Sequence, residues 1–215
     1  HPDYVSTRLT MSENATVEAK LREGTHRIVL QQGLLVLGRV VDDQDKPISA
    51  ARVWAGMANF SGTQDTKTDA QGKFTFRNLK EGEMQFSVLA KGQKPESKKI
   101  IVKQGMDEIL FRLGPGQVIR GIVKNETSEP VSGVRVALES PSGGVSQDYQ
   151  FETTTDDGGR FEWDGAPDET RNFCFLKTGY EAKRRQTLKL DVENFITLRK
   201  GRKVQGWVLD AQTEK

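Results

Sequence analysis

Leu30-Gln31-Gln32-Gly33, followed five residues later by Gly38, recurs as Leu113-Gly114-Pro115-Gly116 with Gly121 and again as Leu198-Arg199-Lys200-Gly201 with Gly206. Gly33 and Gly116 lie 83 residues apart, and Gly116 and Gly201 lie 85 apart. A period of that length exceeds a solenoid unit and suits a small all-β domain. The motif therefore divides the chain into two full repeats, 33–115 and 116–200. Residues 1–32 read as the C-terminal part of a preceding repeat and 201–215 as the first strand of a following one, so the chain is expected to be a slice of something longer.

Outward from the motif, each repeat carries the same succession of signals. An apolar strand, Leu34 to Val41 or Val118 to Val123, runs into a polar turn that ends at Pro47 or Pro130, nine positions after Gly38 or Gly121. A second strand follows at Ala51-Arg52-Val53-Trp54 and at Val134-Arg135-Val136-Ala137. The repeats then diverge over Gly56 to Thr66 and the longer Ser140 to Glu152, and such variable loops are where specificity usually resides. Register returns at Thr68-Asp69-Ala70-Gln71-Gly72-Lys73-Phe74-Thr75-Phe76 and at Thr155-Asp156-Asp157-Gly158-Gly159-Arg160-Phe161-Glu162-Trp163. There the Asp side chain is expected to accept amide hydrogen bonds and the Gly to supply a positive φ, closing a tight turn into a strand whose alternate aromatics face one core. Period-two strands continue at 84–90 and 171–177, and at 109–113 and 194–198. Beyond a turn or two over Ala15 to Arg22, no helix is expected. The pattern predicts an all-β chain of tandem antiparallel sandwiches with short, stiff junctions.

These stretches, Gly38 to Val53, Thr68 to Leu79 and Phe86 to Gly92, with their counterparts from Gly121 to Tyr180, resemble the carboxypeptidase regulatory-like domain. The resemblance implies a transthyretin-like (prealbumin-like) Greek-key sandwich of seven strands and a non-catalytic accessory module. It also implies a setting in large bacterial secreted, periplasmic or surface proteins, hence an extracytoplasmic location. Its motifs are turn glycines, a proline and core apolars, which specify fold far more than function.

Lys plus Arg number 32 against 30 Asp plus Glu, interspersed without a basic stripe, so nucleic acid is not an expected partner. No apolar run approaches the ~20 residues of a membrane span. Cys174 is the only cysteine, which excludes an internal disulfide and a Cys-based metal site and reads as a small core thiol. The two histidines, His1 and His26, lie at no metal-ligand spacing, and no nucleophile–base pair is shared between the repeats, so no cofactor, metal or catalytic residue is expected. Asp42, Asp43, Asp45 and Asp69 invite comparison with a Ca²⁺ loop. The second repeat has Asn125, Glu126 and Ser128 in place of the first three, which favours ordinary turn residues.

Lys124 and Asn194 stand roughly where the internal isopeptide bond of the related Cna-B fold would need them, but the Glu of that pattern is missing. Exposed aromatics remain as a stacking platform for a sugar ring: Trp54 and Phe60 in the first repeat, Tyr149 and Phe151 in the second. Trp163 is expected in the core and Trp207 on a strand. The reading is a structural spacer that contacts other domains of its own polypeptide. The alternative is an adhesion module whose variable loops take a polysaccharide, cell-wall or protein ligand.

Overall fold

The computed structural model describes residues 4–5, 20–25, 27, 30–56, 63–139, 151–169 and 171–203. Of these, residues through Pro115 form one compact unit and residues from Gly116 onward a second. The first unit contains β1 (Leu34–Asp42), β2 (Arg52–Ala55), β3 (Gln64–Lys67), β4 (Lys73–Leu79), β5 (Gly82–Leu89), β6 (Glu96–Val102) and β7 (Ile109–Leu113). The second contains β8 (Gln117–Asn125), β9 (Arg135–Glu139), β10 (Glu152–Thr154), β11 (Arg160–Ala166), β12 (Asn172–Leu176), β13 (Lys183–Thr187) and β14 (Glu193–Leu198).

Each unit is a prealbumin-like sandwich of a three-stranded and a four-stranded sheet. The strand orders are β4-β1-β7 and β3-β2-β5-β6 in the first unit, and β11-β8-β14 and β10-β9-β12-β13 in the second. Advancing every strand number by seven converts one pair of orders into the other. Alternate residues of facing strands fill the space between the sheets: Val36, Val40, Val53, Phe74, Phe86 and Phe111 in the first unit. Val123, Val136, Phe161, Trp163, Phe173 and Phe175 are buried in the second.

One expectation is corrected. The last strand of each unit pairs with the first in parallel, Gly38 opposite Ile109 and Gly121 opposite Asn194, so the sandwiches are not purely antiparallel. A hairpin forces antiparallel pairing, whereas β7 and β14 reach their sheet by crossing from the other one, and a crossover leaves direction free.

The shared turn residues do identical work in both units. The Oδ1 of Asp69 accepts hydrogen bonds from the amides of Gln71 and Lys73 at 2.9 and 2.8 Å, and that of Asp156 from Gly158 and Arg160 at the same distances. Gly72 and Gly159 both adopt φ 71°, where a Cβ would also fall 2.4 Å from the carbonyl oxygen of Val40 or Val123. Beside each turn a buried threonine staples the preceding loop. Thr68 Oγ1 donates to the Ile48 carbonyl at 2.7 Å and accepts from the Ala51 amide at 2.9 Å; Thr155 Oγ1 does the same with Val131 and Val134 at 2.8 and 2.9 Å.

Candidate functional site

The sequence places its candidate ligand residues in or beside the variable loops, and of these the structure describes Trp54 on β2 and Phe151 just before β10. Along β2, Val53 and Ala55 enter the core, so alternation turns Arg52 and Trp54 to the outer face. There the Arg52 guanidinium lies 4.8 Å above the Trp54 ring, and its Nε pairs with Asp65 Oδ2 at 3.0 Å. Trp54 is nevertheless only 3% exposed, and its neighbour across the strand pair, Ser87, only 1%. Ser87 Oγ accepts a 2.8 Å hydrogen bond from Ser97 Oγ. The expectation of an exposed platform is therefore corrected for Trp54: a cation covers its ring, a favourable use of an indole face that leaves that face unavailable to a sugar.

The second unit repeats the pattern with other side chains. Arg135 pairs with Glu152 at 2.7 Å, the counterpart of Arg52 with Asp65. Both bridges are about half exposed and worth about 0–1 kcal/mol each. The Arg135 guanidinium holds the Glu152 carboxyl below its ordinary range. Ala137 stands where the first unit has Trp54, and Cys174 opposite it takes the place of Ser87. Burial, reinforced by the charge of Glu139, pushes the Cys174 thiol above its ordinary pKa, the opposite of what a reactive thiol needs. At the end of β9, Glu139 has a side chain only 1% exposed and pairs with Arg184 of β13 at 3.2 Å. Sequence reading missed this buried carboxylate, because a Glu following an apolar strand carries no local mark of burial.

Phe151 takes the other face. Its carbonyl accepts from the Leu138 amide, and pairing opposite a core residue turns its ring inward. It stacks on Trp163 at 4.3 Å and 13° and meets Phe173 edge-on at 6.5 Å. The exposed-platform expectation is corrected here too, since Phe151 extends the aromatic core. Phe60 and Tyr149 lie outside the described residues, as do His1, His26 and Trp207.

The acidic turn of the first unit is engaged within itself. Asp42 Oδ1 accepts from the amides of Gln44 and Lys46, both at 2.9 Å, and Asp45 pairs with Arg112 at 2.5 Å. The Arg112 hydrogen bond draws the Asp45 carboxyl below its ordinary range. Asn125 Oδ1 caps the equivalent turn from Thr127 and Glu129 at 3.0 and 2.9 Å. Among the described residues, no three of His, Cys, Asp and Glu converge on a point that could hold a metal ion.

Asn194 is likewise committed. Its Nδ2 donates to the carbonyls of Arg120 and Lys189 at 2.9 Å, and its Oδ1 accepts from the Lys189 amide at 2.9 Å. It stands opposite Gly121, whereas Lys124 stands opposite Thr197. Three residues of strand, about 10 Å, thus separate the two backbones that an isopeptide bond would have to join.

The carboxypeptidase regulatory-like domain family matches the chain twice, over residues 36–111 and 118–199. The chain belongs to this family. Each match coincides with one sandwich, so every regulatory-like copy supplies both of its own sheets. No curated protein matches the chain. Among solved structures, the TIE protein of Bacillus anthracis is similar at 14% identity and a TM-score of 0.35, over 80% of this chain and 35% of that one. The chain thus spans about a third of that protein's length. A streptococcal ancillary pilin is similar at 13% identity and a TM-score of 0.31, over 82% of this chain and 66% of the pilin. The shaft pilin of Lactobacillus rhamnosus GG is similar at 11% and 0.32, over 80% of this chain and 99% of the pilin.

Proposed function

We propose that these two regulatory-like repeats, 33–115 and 116–200, serve as a non-catalytic structural module of a multidomain secreted or surface protein, separating its other parts. Residues 1–32 and 201–215 belong in this reading to neighbouring copies. One observation carries it: the residues that recur between the repeats are occupied by the fold itself. Asp69 and Asp156 cap turns, Thr68 and Thr155 staple loops, and Gly72 and Gly159 admit a carbonyl oxygen at 2.4 Å from where a Cβ would sit. What the copies share is thus a means of folding, and a repeat that preserves only its own folding adds length and rigidity to a chain. Only three residues, 114–116, connect β7 to β8, too few for a flexible tether. The extracytoplasmic location and the absence of catalysis belong to the same proposal and rest on family membership.

An adhesion role would reside in the variable loops, which carry the two remaining aromatic candidates, Phe60 and Tyr149, both outside the described residues. A binding screen against glycans and cell-wall fragments separates the readings, run on the whole chain beside a Phe60→Ala, Tyr149→Ala variant. The spacer reading expects no saturable binding by either protein. Saturable binding that the variant loses, with an unchanged melting temperature, would replace it with adhesion.

A further inference from the structure

Two repeats with one fold allow equivalent positions to be compared on the outer face of the three-stranded sheet. In the second repeat this face is electrostatically matched. Arg120 of β8 stands opposite Glu162 of β11 on one side and Glu193 of β14 on the other. Such rungs are favourable, while like charges directly opposite one another are destabilising.

The first repeat breaks that rule. Arg39 of β1 stands directly opposite Lys73 of β4, and Arg77 lies on the same outward face of β4. None of the three forms an ion pair among the described residues. Arg112, also on this face, is bound to Asp45, whose carboxyl also feels the charge of Arg39 at longer range. Between the cations the sheet exposes Leu35, Leu37 and Leu110 at 54%, 48% and 41%. Leu110 sits opposite Arg39, and Leu37 opposite Thr75.

We infer that this face of the first repeat is a docking surface for an acidic polypeptide segment that also carries apolar side chains. An anion over Arg39 and Lys73 converts a repulsive rung into an attractive one, and the effect is largest where the partner also excludes water. The leucines supply that exclusion. The outward positions of β1, β4 and β7 carry no aromatic residue, which disfavours both a sugar, whose ring stacks on aromatics, and a bilayer interface, which favours protruding Trp and Tyr. The inference stands whether or not the spacer reading holds.

The test uses the whole chain and a fluorescent dodecapeptide alternating Glu with Leu and Thr, followed by anisotropy. Saturable binding is expected, weakening about tenfold or more between low and high salt. An Arg39→Glu, Arg77→Glu variant should lose about tenfold in affinity, while a Lys91→Glu, Lys103→Glu variant, with the same change in net charge elsewhere, keeps it within about twofold. Melting curves confirm that both variants fold. Equal loss in the two variants would overturn the inference by showing a net-charge effect, as would no saturable binding. Binding to vesicles containing anionic phospholipid, without peptide binding, would overturn it in favour of a lipid surface.

Discussion

The carboxylate of Glu139 accepts a 2.6 Å hydrogen bond from the backbone N–H of Arg185, reaching from β9 across β12 to β13. The bond exists because β13 is irregular: Phe173 pairs with Gln186 and Phe175 with Lys183, so two residues of β13 oppose one of β12. A bulge of this kind removes an amide from the ladder. Arg185 also adopts φ 54°, in the left-handed region. Glu139 thus satisfies the orphaned amide, and its second oxygen accepts from Arg184. Replacing Glu139 with Ala leaves that amide unsatisfied and should destabilise the second repeat by about 2 kcal/mol. Arg185→Gly keeps the N–H and relieves the strained φ, so it should be neutral or stabilising by up to about 1 kcal/mol. Chemical denaturation of the two variants checks both signs.

Gly38 and Gly121 occupy the same place but resist substitution for different reasons. A Cβ on Gly38 would lie 2.0 Å from Cζ of Phe74, whereas one on Gly121 would lie 2.4 Å from the Asn194 backbone oxygen. Both Ala variants should lose about 2–3 kcal/mol through overpacking. Trimming Phe74 to Leu should recover part of the loss in the Gly38→Ala background. No comparable trimming can rescue Gly121→Ala, because its obstacle is main chain. Thermal melts of the single and double variants distinguish the cases.

Acid should weaken both repeats through specific carboxylates. Hydrogen bonds from Arg112 to Asp45, and from Asn125 and then Thr127 to Glu129, hold both acids below their ordinary range. A carboxylate whose folded pKa is depressed stabilises the fold at neutral pH, and that contribution disappears as pH falls through the depressed value. Arg112→Gln should therefore flatten the acid limb of the first repeat's stability profile and leave that of the second unchanged. Melting temperatures measured from neutral pH down to about pH 2 report this directly; an unchanged acid limb would exclude the Asp45 contribution.

Cys174 should behave as a core residue. With its thiol pushed up chiefly by burial and only 7% of the residue exposed, alkylation in native buffer should be at least about 100-fold slower than in denaturant. Mass spectrometry after timed iodoacetamide exposure gives both rates. Fast native labelling would mean that β12 opens readily.

Much of the architecture is legible in the sequence. The Leu-x-x-Gly period placed the repeats, and Asp69-x-x-Gly72 and Asp156-x-x-Gly159 named turns whose geometry rests on contacts within four residues. The candidate site was less legible. Trp54 beside a variable loop is equally compatible with an exposed platform and with a ring roofed by Arg52. Phe151 could face either way until its pairing with Leu138 turned it toward Trp163. Glu139 gave no sign at all, since its partner amide belongs to a residue 46 positions away.

By itself, the sequence determined the repeat, the strand-and-turn order and the residues that must turn the chain, because each depends on period-two alternation, side-chain caps and φ preferences acting over a few residues. Only the tertiary structure decided the parallel pairing of the last strand with the first, the burial of Trp54 and Glu139, and the like-charge rung of Arg39 and Lys73. Alternation tells which residues share a face; the strand that lies opposite, and what covers the face, arise from pairings between segments far apart in the chain, which local preferences do not encode.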